Sequence, residues 1–383
     1  MVVKLGDICS FQSGGTPSRR NPEYFSGNIP WITTTALNGK KIGRNDAVAL
    51  ITEQAVAESA AKIVPAGSIM VGTRVGVGKV AINTEVMSTS QDIISLLNID
   101  ENVWDKEFLC KFLQSKSSFL NSQARGATIK GIKIDVLSEL DLPVMSKEEQ
   151  THISEIVDNV KKLISIRQQQ LEKLDELVKA RFVEMFGDTV LNPFGWEKAL
   201  LGTVCDVRDG THDSPSYYET GYPLVTSKNV SSGKINLTDC SLICESDFKK
   251  INERSKVDTG DIIMPMIGTI GKPVIVDIEP NFAIKNVALI KFKDSSRVLN
   301  AYVRALLMSD YFEDAVLSKV RGGTQKFISL GDIRKLCVLV PPMEKQEQFV
   351  IFVNQVDKSK VAVQKSLDKA QLLFDSLMQQ YFG

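Results

Sequence analysis

Two short segments carry the residue types best suited to contact a polyanion. Arg125-Gly126-Ala127-Thr128-Ile129-Lys130 and Arg321-Gly322-Gly323-Thr324-Gln325-Lys326 share an order of arginine, glycine, hydroxyl and lysine. Glycine lets the backbone approach a phosphate, Arg and Lys neutralise its charge, and Thr, Gln or Arg can bond base edges. A solvated loop ahead of a helix would have a similar composition. We favour nucleic-acid contact and assign it to Arg125, Gly126, Thr128, Lys130, Arg321, Gly322, Thr324, Gln325 and Lys326.

Three further groups of polar residues offer the same chemistry. The first is a pair of hydroxyl- and amide-rich runs, and the second consists of an amide at a matching place in each half of the chain. Amide side chains suit adenine in the major groove, although they also satisfy the backbone of turns. The third is a Gly-Lys pair in each half, which predicts a turn between strands with a lysine near a phosphate. These candidates are Thr33, Thr34, Thr35, Thr226, Ser227, Lys228, Asn229, Gln91, Asn286, Lys79 and Lys272.

Catalytic motifs have little support. The run from Gly72 to Lys79 looks like a phosphate-binding loop, but its glycine spacing is wrong and Val80 replaces the Ser or Thr that would bind magnesium. Asn192-Pro193-Phe194 is similar to a motif of amino-methyltransferases but lacks its second proline, and a linker turn explains it. His152 and His212 lack metal-ligand spacing with the cysteines. We therefore expect no catalytic residues, no metal and no cofactor on this chain.

An internal repeat organises the sequence. Leu5-Gly6-Asp7-Ile8-Cys9 returns as Leu201-Gly202-Thr203-Val204-Cys205, just as the Arg-Gly-x-Thr segment returns in the second half. Near the end of each copy, Glu149-Gln150 is matched to Glu347-Gln348. A period of half the chain is too long for a solenoid, so it predicts a duplicated unit. We place the two globular units at 1–145 and 188–340.

Both globular units are expected to be α/β or α+β in class. Short β-rich runs alternate with Gly, Pro and Asn turns, and each unit has room for one helical segment. The expected strands are Ser68–Gly72, Val80–Asn83, Asp261–Met266, Val274–Asp277 and Val287–Phe292, and the expected helices are Lys106–Gln123 and Asn300–Lys319.

Each unit is followed by an amphipathic helical segment, 146–187 and 341–383. Apolar residues recur there at spacings of three and four, which is typical of a coiled-coil seam. Ser146 and Glu149 form a capping-box pattern, and both segments end at Phe-Gly. Helices packed separately on their own units are the alternative; if they pack together, chain order makes them antiparallel. The expected seam comprises Ile153, Val160, Leu171, Leu174, Val356, Val363, Leu367 and Leu377.

The composition is that of an ordinary globular protein, with 43% hydrophobic and 24% charged residues. Basic and acidic residues number 46 each, which argues weakly against nucleic-acid binding but is compatible with a basic face on each unit. Six cysteines without a Cys-x-x-Cys pair predict free thiols in a reducing compartment. The sequence shows neither a signal-peptide pattern nor a long apolar run. We expect a cytoplasmic protein.

A duplicated globular unit and long helix, with Arg-Gly-x-Thr closing each unit, resembles the specificity subunit of type I restriction–modification enzymes. Asn192-Pro193-Phe194-Gly195-Trp196 and the run from Pro223 to Asn229 add to the likeness, which covers nearly the whole chain. Each motif is weak singly, but the repeated order is specific to that family.

The resemblance implies that each unit is a target-recognition domain that reads half of a split site in double-stranded DNA, while the helices set the gap. It also implies methyltransferase (M) subunits, which use S-adenosylmethionine to methylate adenine N6. Restriction (R) subunits, which use ATP and magnesium, would complete the assembly. This chain would then be non-catalytic. The alternative is a structural adaptor whose two units bind proteins; an autonomous methyltransferase lacks its motifs here.

Overall fold

The computed structural model describes residues 2–126, 131–230, 233–267, 272–293, 295–316 and 327–383. Contacts divide the chain into two compact units. Unit 1 comprises Met1–Ile166 with Ser366–Gly383, and unit 2 comprises Arg167–Lys365. Each unit therefore contains half of each long helix. In the described ranges, no helix is both long enough and apolar enough to span a bilayer.

Unit 1 combines two sheets with short helices. The larger sheet has the strand order β2-β10-β7-β8-β4, the smaller has β5-β3-β9-β6, and β1 pairs with β11. The elements are β1 (Val2–Lys4), α1 (Leu5–Ile8), β2 (Ser10–Ser13), β3 (Ile29–Ile32), β4 (Lys41–Ile42), β5 (Ala49–Ile51), α2 (Glu53–Glu58), β6 (Ile63–Val64), β7 (Ile69–Gly72), β8 (Val80–Asn83), β9 (Met87–Thr89), β10 (Ile93–Leu97), α3 (Lys106–Ser115), α4 (Ser117–Gln123), α5 (Ile134–Ser138), β11 (Asp141–Pro143) and the long helix α6 (Lys147–Phe186).

The central strands of unit 1 read as continuous apolar runs because both of their faces are covered. On β7, Ile69 and Val71 join a core that includes Phe108 of α3. Between them, Met70 points to the opposite face and joins Ile32 of the smaller sheet. Successive side chains of a strand point to opposite faces, so one strand supports two cores.

Unit 2 repeats this plan. Its sheets have the strand orders β13-β19-β16-β17 and β15-β14-β18, and β12 pairs with β20. The elements are β12 (Glu197–Leu200), α7 (Leu201–Val204), β13 (Asp206–Asp209), β14 (Tyr222–Val225), α8 (Ser227–Val230), β15 (Ser241–Ile243), α9 (Glu245–Ser255), β16 (Ile262–Pro265), β17 (Val274–Ile275), β18 (Ala283–Ile284), β19 (Val287–Lys291), α10 (Asn300–Leu307), α11 (Asp310–Val316), α12 (Leu330–Arg334), β20 (Cys337–Val340) and the long helix α13 (Met343–Phe382). The duplicated α+β architecture is confirmed, although each predicted single helix is two shorter helices; residues 317–319 lie outside the described ranges.

A buried glutamine joins the first turn of α6 to unit 1. The side chain of Gln150 is fully buried. Its Oε1 accepts a hydrogen bond from the Asp105 N–H at 2.8 Å, and its Nε2 donates to the carbonyls of Val103 at 3.0 Å and Met145 at 3.1 Å. One side chain thus satisfies three backbone groups that would otherwise be buried without partners.

Gln346 performs the same task in unit 2. It is fully buried, accepts from the Leu299 N–H at 2.8 Å, and donates to the carbonyls of Arg297 and Pro341 at 3.0 and 2.8 Å. The structural counterpart of Gln150 is therefore Gln346, and the match to Gln348 is wrong. Residue identity favoured the exposed Glu-Gln pair, whereas the buried hydrogen bonds define the equivalent position.

Helix α6 begins and ends as the sequence predicts. The Ser146 N–H donates to Glu149 Oε2 at 2.9 Å, and the Glu149 N–H donates to Ser146 Oγ at 3.2 Å, which is the reciprocal capping box. The helix ends at Phe186, and Gly187 follows in the left-handed region at φ 78°. Glycine adopts this conformation without steric cost.

The two long helices pair within each unit. In unit 1, Phe382 of α13 packs at a ring distance of 5.2 Å from Phe108, in the same core as Ile153 and Val157 of α6. The Lys161 ammonium lies 5.5 Å from the Phe374 ring centre. The start of α6 thus lies beside the end of α13, as antiparallel pairing requires.

Unit 2 contains the complementary halves. Phe182 and Phe186 of α6 pack against Phe349 of α13, with ring distances of 5.7 and 5.4 Å. Lys360 of α13 forms an ion pair of 2.5 Å with Asp175 of α6. Three expected seam residues, Ile153, Val160 and Val356, are buried. The other five expected seam residues are only partly buried: Leu171, Leu174, Val363, Leu367 and Leu377.

The buried glutamine gives a stability test. Gln346→Leu leaves one N–H and two carbonyls in the interior without their partner, and each unsatisfied group costs about 1–3 kcal/mol. We expect a loss of about 3 kcal/mol in the free energy of unfolding, measured by denaturant titration.

The matched control is Gln348→Leu, two residues away and exposed. A surface change of this kind costs less than about 0.5 kcal/mol. Equal losses for the two variants would contradict the assignment of Gln346 as the buried counterpart of Gln150.

Candidate nucleic-acid interface

The candidate residues of unit 2 meet where two parallel strands end. Strand β14 runs parallel to β18, with Leu224 opposite Ala283 and Val225 opposite Ile284. The Lys285 N–H continues the pairing by donating to the Val225 carbonyl at 2.9 Å. Carboxyl ends of parallel strands share one edge of a sheet, and ligands often bind at such edges. The segments 226–229 and 285–286 are therefore neighbours.

Unit 1 has the same edge. Strand β3 runs parallel to β9, with Ile32 opposite Thr89. The Ser90 N–H donates to the Ile32 carbonyl at 2.9 Å, as that of Lys285 does in unit 2. Gln91 and Asn286 consequently follow equivalent backbone hydrogen bonds. The predicted equivalence of these two amides is confirmed by the backbone geometry.

Some candidates at these edges have structural tasks. Asn229 is buried, and its Oδ1 accepts from the Thr226 N–H at 3.0 Å and from the Thr226 hydroxyl at 2.8 Å. Thr34 is buried as well. Neither side chain is exposed enough to touch a base without rearrangement. Among the remaining candidates, Thr35, Gln91 and Lys228 are exposed.

A histidine cluster lies at the unit 2 edge. His212 Nδ1 lies 2.9 Å from Asn286 Oδ1, and His212 Nε2 lies 2.9 Å from Asp209 Oδ2. Asp209 is buried and forms a second ion pair with Arg254. Hydrogen bonds that the ring donates to Asn286 Oδ1 and to the Asp209 carboxylate raise the pKa of His212 above its ordinary value. This cluster was missed in the sequence, where His212 was considered as a metal ligand, rejected, and given no other role.

A cavity of about 280 Å³ opens beside the cluster. One side is polar and formed by Asp209, His212 and Asn286. The other is mainly apolar and formed by Met266, Ile267, Phe327, Ile328, Ser329 and Leu330. A concave site with an apolar wall and a few converging polar groups is typical of a ligand-binding surface.

Four residues that line this cavity, Phe327 to Leu330, follow the Arg-Gly-x-Thr segment of unit 2 in the sequence. Arg321, Gly322, Thr324, Gln325 and Lys326 lie outside the described residues. The chain resumes at Phe327, which bridges to Ile267, and the Ile328 N–H donates to the Met266 carbonyl at 2.9 Å. Lys272, another candidate, is described and exposed.

The corresponding part of unit 1 is basic. Arg125 and Gly131 exchange two backbone hydrogen bonds of 3.0 Å, while Ala127–Lys130, with the candidates Thr128 and Lys130, lie outside the described residues. The backbone of Gly131 is close to Arg74, since an added Cβ would lie 2.9 Å from Arg74 Cγ. Arg74, Arg125 and Lys79 are all exposed. Arg74 was missed because only Lys79 of its glycine-rich run was considered as a phosphate contact.

Two other motifs form turns, as the sequence predicts. Gly78, at φ 78°, lies in the turn between β7 and β8 and donates its N–H to the Gly72 carbonyl at 2.9 Å. Asn192, at φ 49°, uses its side chain to bond both the N–H and the carbonyl of Trp196. The turns predicted at Gly78 and at Asn192 are confirmed, whereas Gly271 of the second Gly-Lys pair lies outside the described residues.

Three cysteines of the described residues are poor nucleophiles. Burial raises the pKa of the Cys9 and Cys205 thiols to about 12 and that of Cys110 to about 11. A thiol is nucleophilic as its thiolate, so these shifts make the three cysteines less reactive. Across the described ranges, no group of three or more His, Cys, Asp or Glu side chains is placed to hold a metal.

Comparison with known proteins gives consistent matches. The family model described as type I restriction modification DNA specificity domain matches residues 1–176 and 193–372. The MjaIX specificity subunit of a type I restriction enzyme from Methanocaldococcus jannaschii is 28% identical over 98% of this chain and 91% of its own length. The EcoBI specificity subunit from Escherichia coli is 21% identical over 74% of this chain and 65% of its own length.

Solved structures share the fold. The S subunit of a type I restriction–modification system from M. genitalium aligns with a TM-score of 0.56 and 15% identity over 100% of this chain and 96% of its own. A chain of a type I R-M system, solved in work on complex assembly and conformational transition, aligns with a TM-score of 0.62 and 18% identity over 100% and 97%. Because the family model matches both halves and most of the sequence, the chain belongs to the type I restriction modification DNA specificity domain family.

Proposed function

We propose that this chain is the DNA-reading subunit of a type I restriction–modification enzyme, in which each unit reads one half of a split site. The observation that carries this proposal is the duplicated edge. Each unit places an amide, Gln91 or Asn286, directly after an equivalent backbone hydrogen bond between parallel strands. Family membership argues for this function over a purely structural adaptor.

Two kinds of contact are proposed in each unit. Gln91, Asn286, Thr35 and Lys228 are placed for base edges, because amides, hydroxyls and amines form hydrogen bonds there. The basic groups fix position on the backbone of double-stranded DNA by neutralising phosphates. They are Arg74, Lys79 and Arg125 in unit 1 and Lys272 in unit 2, together with the undescribed Arg-Gly-x-Thr residues.

The long helices are proposed to dock the methyltransferase (M) subunits and to set the gap between half-sites. They expose large apolar side chains on surfaces that their own pairing leaves open. Exposed apolar residues of this kind mark protein-binding surfaces when they are contiguous. They are Leu163, Ile166, Leu177, Val183, Ile351, Val361, Leu372 and Leu373. Restriction (R) subunits would join through the M subunits, in the cytoplasm where the DNA is.

Catalysis is assigned to those partners rather than to this chain. The match of both halves of the chain to a DNA specificity domain supports this assignment. Methyl transfer from S-adenosylmethionine and ATP-driven cleavage would then belong to the M and R subunits.

The purified chain alone should therefore show no methyl transfer to DNA. The measurement is incorporation of labelled methyl groups from S-adenosylmethionine, with the chain plus its M subunit as the positive control. Turnover by a preparation that mass spectrometry finds free of M subunit would contradict the assignment.

Modular reading predicts the result of exchanging one unit. Replacing residues 188–340 with the matching segment of a relative should change one half-site and preserve the other half and the gap, because α6 and α13 are retained. Sequencing of methylated bases in DNA exposed to the chimeric complex gives the answer.

The reciprocal exchange of residues 1–145 is the matched control and should change only the other half-site. If either exchange altered both halves, the two units would not read independently and the modular proposal would fail.

The basic residues of unit 1 allow phosphate and base contacts to be separated. Arg125→Ala should weaken binding to all duplexes alike if the side chain neutralises a phosphate, and should reduce the slope of log affinity against log salt by about 1. If Arg125 instead bonds a guanine, preference at one position should fall by about 1–3 kcal/mol. Binding to a panel of duplexes at several salt concentrations distinguishes the two.

Lys4→Ala removes a positive charge from β1, where Lys4 pairs with Asp141 at 2.9 Å. It should leave both affinity and salt slope unchanged. No effect of Arg125→Ala beyond that of Lys4→Ala would show that this arginine does not contact DNA.

A further inference from the structure

The His212 ring lies between two hydrogen-bond acceptors. Its Nδ1 faces Asn286 Oδ1 and its Nε2 faces Asp209 Oδ2, both at 2.9 Å. A neutral imidazole has one N–H donor, whereas the imidazolium has two. The observed pair of contacts is therefore satisfied only when His212 carries a proton on both nitrogens.

When His212 loses one proton, the weaker of its two hydrogen bonds must be lost. The Asp209 carboxylate is charged and buried, so the remaining N–H stays on Nε2, where the hydrogen bond is charge-assisted. The bare Nδ1 would then face the Asn286 carbonyl oxygen, lone pair against lone pair. Rotation of the Asn286 amide by half a turn relieves this conflict, because Nδ2 then donates to the ring.

The hydrogen bonds to Asn286 and Asp209 raise the pKa of His212, whereas the positive charge of Arg254 lowers it. Among the described residues, Asp209 faces the ring directly, and Arg254 of α9 faces it across the shared carboxylate. Lys285 is close in sequence to Asn286, but its Nζ donates to Ser214 Oγ at 2.8 Å. His212 itself remains more than half exposed, so a proton can exchange with solvent.

We infer, on the basis of the proposed DNA-reading function, that His212 is a positioning residue that sets which edge of the Asn286 amide faces the DNA bases. With His212 charged, Oδ1 is held by the ring and Nδ2 faces away from it, so Asn286 presents donors. These fit the acceptors of guanine, N7 and O6, or the O4 of thymine. With His212 neutral, Oδ1 faces away and accepts from the amino groups of adenine or cytosine.

The backbone at Asn286 supports this assignment. Asn286 has φ 55°, a left-handed conformation in which asparagine is enriched. This conformation holds the amide close to His212 at the end of the parallel strand pair, and both residues border the 280 Å³ cavity. The cluster is therefore built from described residues of unit 2.

Unit 1 provides an internal control. The Gly14 N–H donates to the Ile93 carbonyl and the Gly210 N–H to the Val287 carbonyl, both at 3.0 Å, so the residue two positions on is Thr16 in one unit and His212 in the other. Threonine does not titrate. Gln91, the counterpart of Asn286, therefore has no protonated ring at this position to orient it. The base preference of unit 1 should therefore be independent of pH.

The test is selection of bound duplexes at two pH values. The full chain, assembled with its M subunits, is incubated with duplexes that contain a randomised segment at about pH 6 and about pH 9, on either side of the histidine range. Bound DNA is sequenced. We expect base preference at one position of the unit 2 half-site to change about fivefold, the value of one hydrogen bond, while the other half-site is constant.

The variant His212→Gln removes the titrating group at an exposed position and should abolish the pH dependence without loss of fold. Asn286→Gly should remove the preference at that position at both pH values, since glycine tolerates the positive φ. Because hydrogen bonds raise the pKa of His212, the change in the native complex should be centred above pH 6.5.

The outcomes separate the two proposals. Absence of any sequence preference at both pH values would overturn the DNA-reading function itself. Preference in both half-sites that is the same at both pH values would overturn the role of His212 alone. So would a pH-dependent change that persists in His212→Gln or that appears equally in the unit 1 half-site.

Discussion

The candidate interface depends on a very short parallel strand pairing in each unit. Only two residue pairs join β3 to β9, and only two join β14 to β18. This pairing brings together segments that are far apart in the chain, such as Val225 and Lys285. Its stability comes from buried neighbours, since Ile32, Val225 and Ile284 are fully buried. The polar residues at the edge are thus positioned by apolar packing beneath them, which leaves their side chains free to differ.

Because apolar packing positions the edge and polar side chains form its surface, the two units can keep the same scaffold and differ in their surface residues. The backbone hydrogen bonds at the two edges are equivalent, and so are the buried glutamines at the helix entries. The exposed residues are not, since Thr16 and Gln91 in unit 1 correspond to His212 and Asn286 in unit 2. Two units with one scaffold and different surface chemistry are suited to reading two different half-sites. Exact symmetry of these surfaces would instead favour a symmetric site.

The long helices were predictable because their signal is local and repeated. The capping box, the three-and-four spacing of apolar residues and the terminal Phe-Gly together define α6 to within a residue or two. Antiparallel pairing followed from chain order. The degree of burial along the seam was not predictable, because spacing alone does not say how closely two helices approach. Leu171 and Leu174 fit the pattern but are only partly buried.

The His212 cluster was not predictable from the sequence. Asp209 and His212 are neighbours in the chain, but Asn286 reaches them through the antiparallel pairing of β13 with β19, in which Asp209 lies opposite Ala288, and periodicity does not specify that pairing. The alignment of the two repeats at the start of the long helices was also wrong. Residue identity matched Gln150 to the exposed Gln348, whereas its structural counterpart is the buried Gln346. Sequence patterns recover local elements well, whereas long-range strand pairing requires coordinates.

The zero net charge is compatible with DNA binding because part of the acidic charge is paired with basic groups of the same unit. In unit 2, Lys291 is partly buried between Asp258 and Asp261, at 2.8 and 2.5 Å, and Asp206 pairs with Arg208 at 2.6 Å. Charges that are paired in this way generate little field at the surface. Phosphate attraction depends instead on exposed basic groups within a Debye length of the DNA, roughly 8–10 Å at physiological salt. The local placement of Arg74, Lys79 and Arg125 therefore matters more than the net charge of the chain. Composition alone underestimates how strongly this interface attracts phosphates.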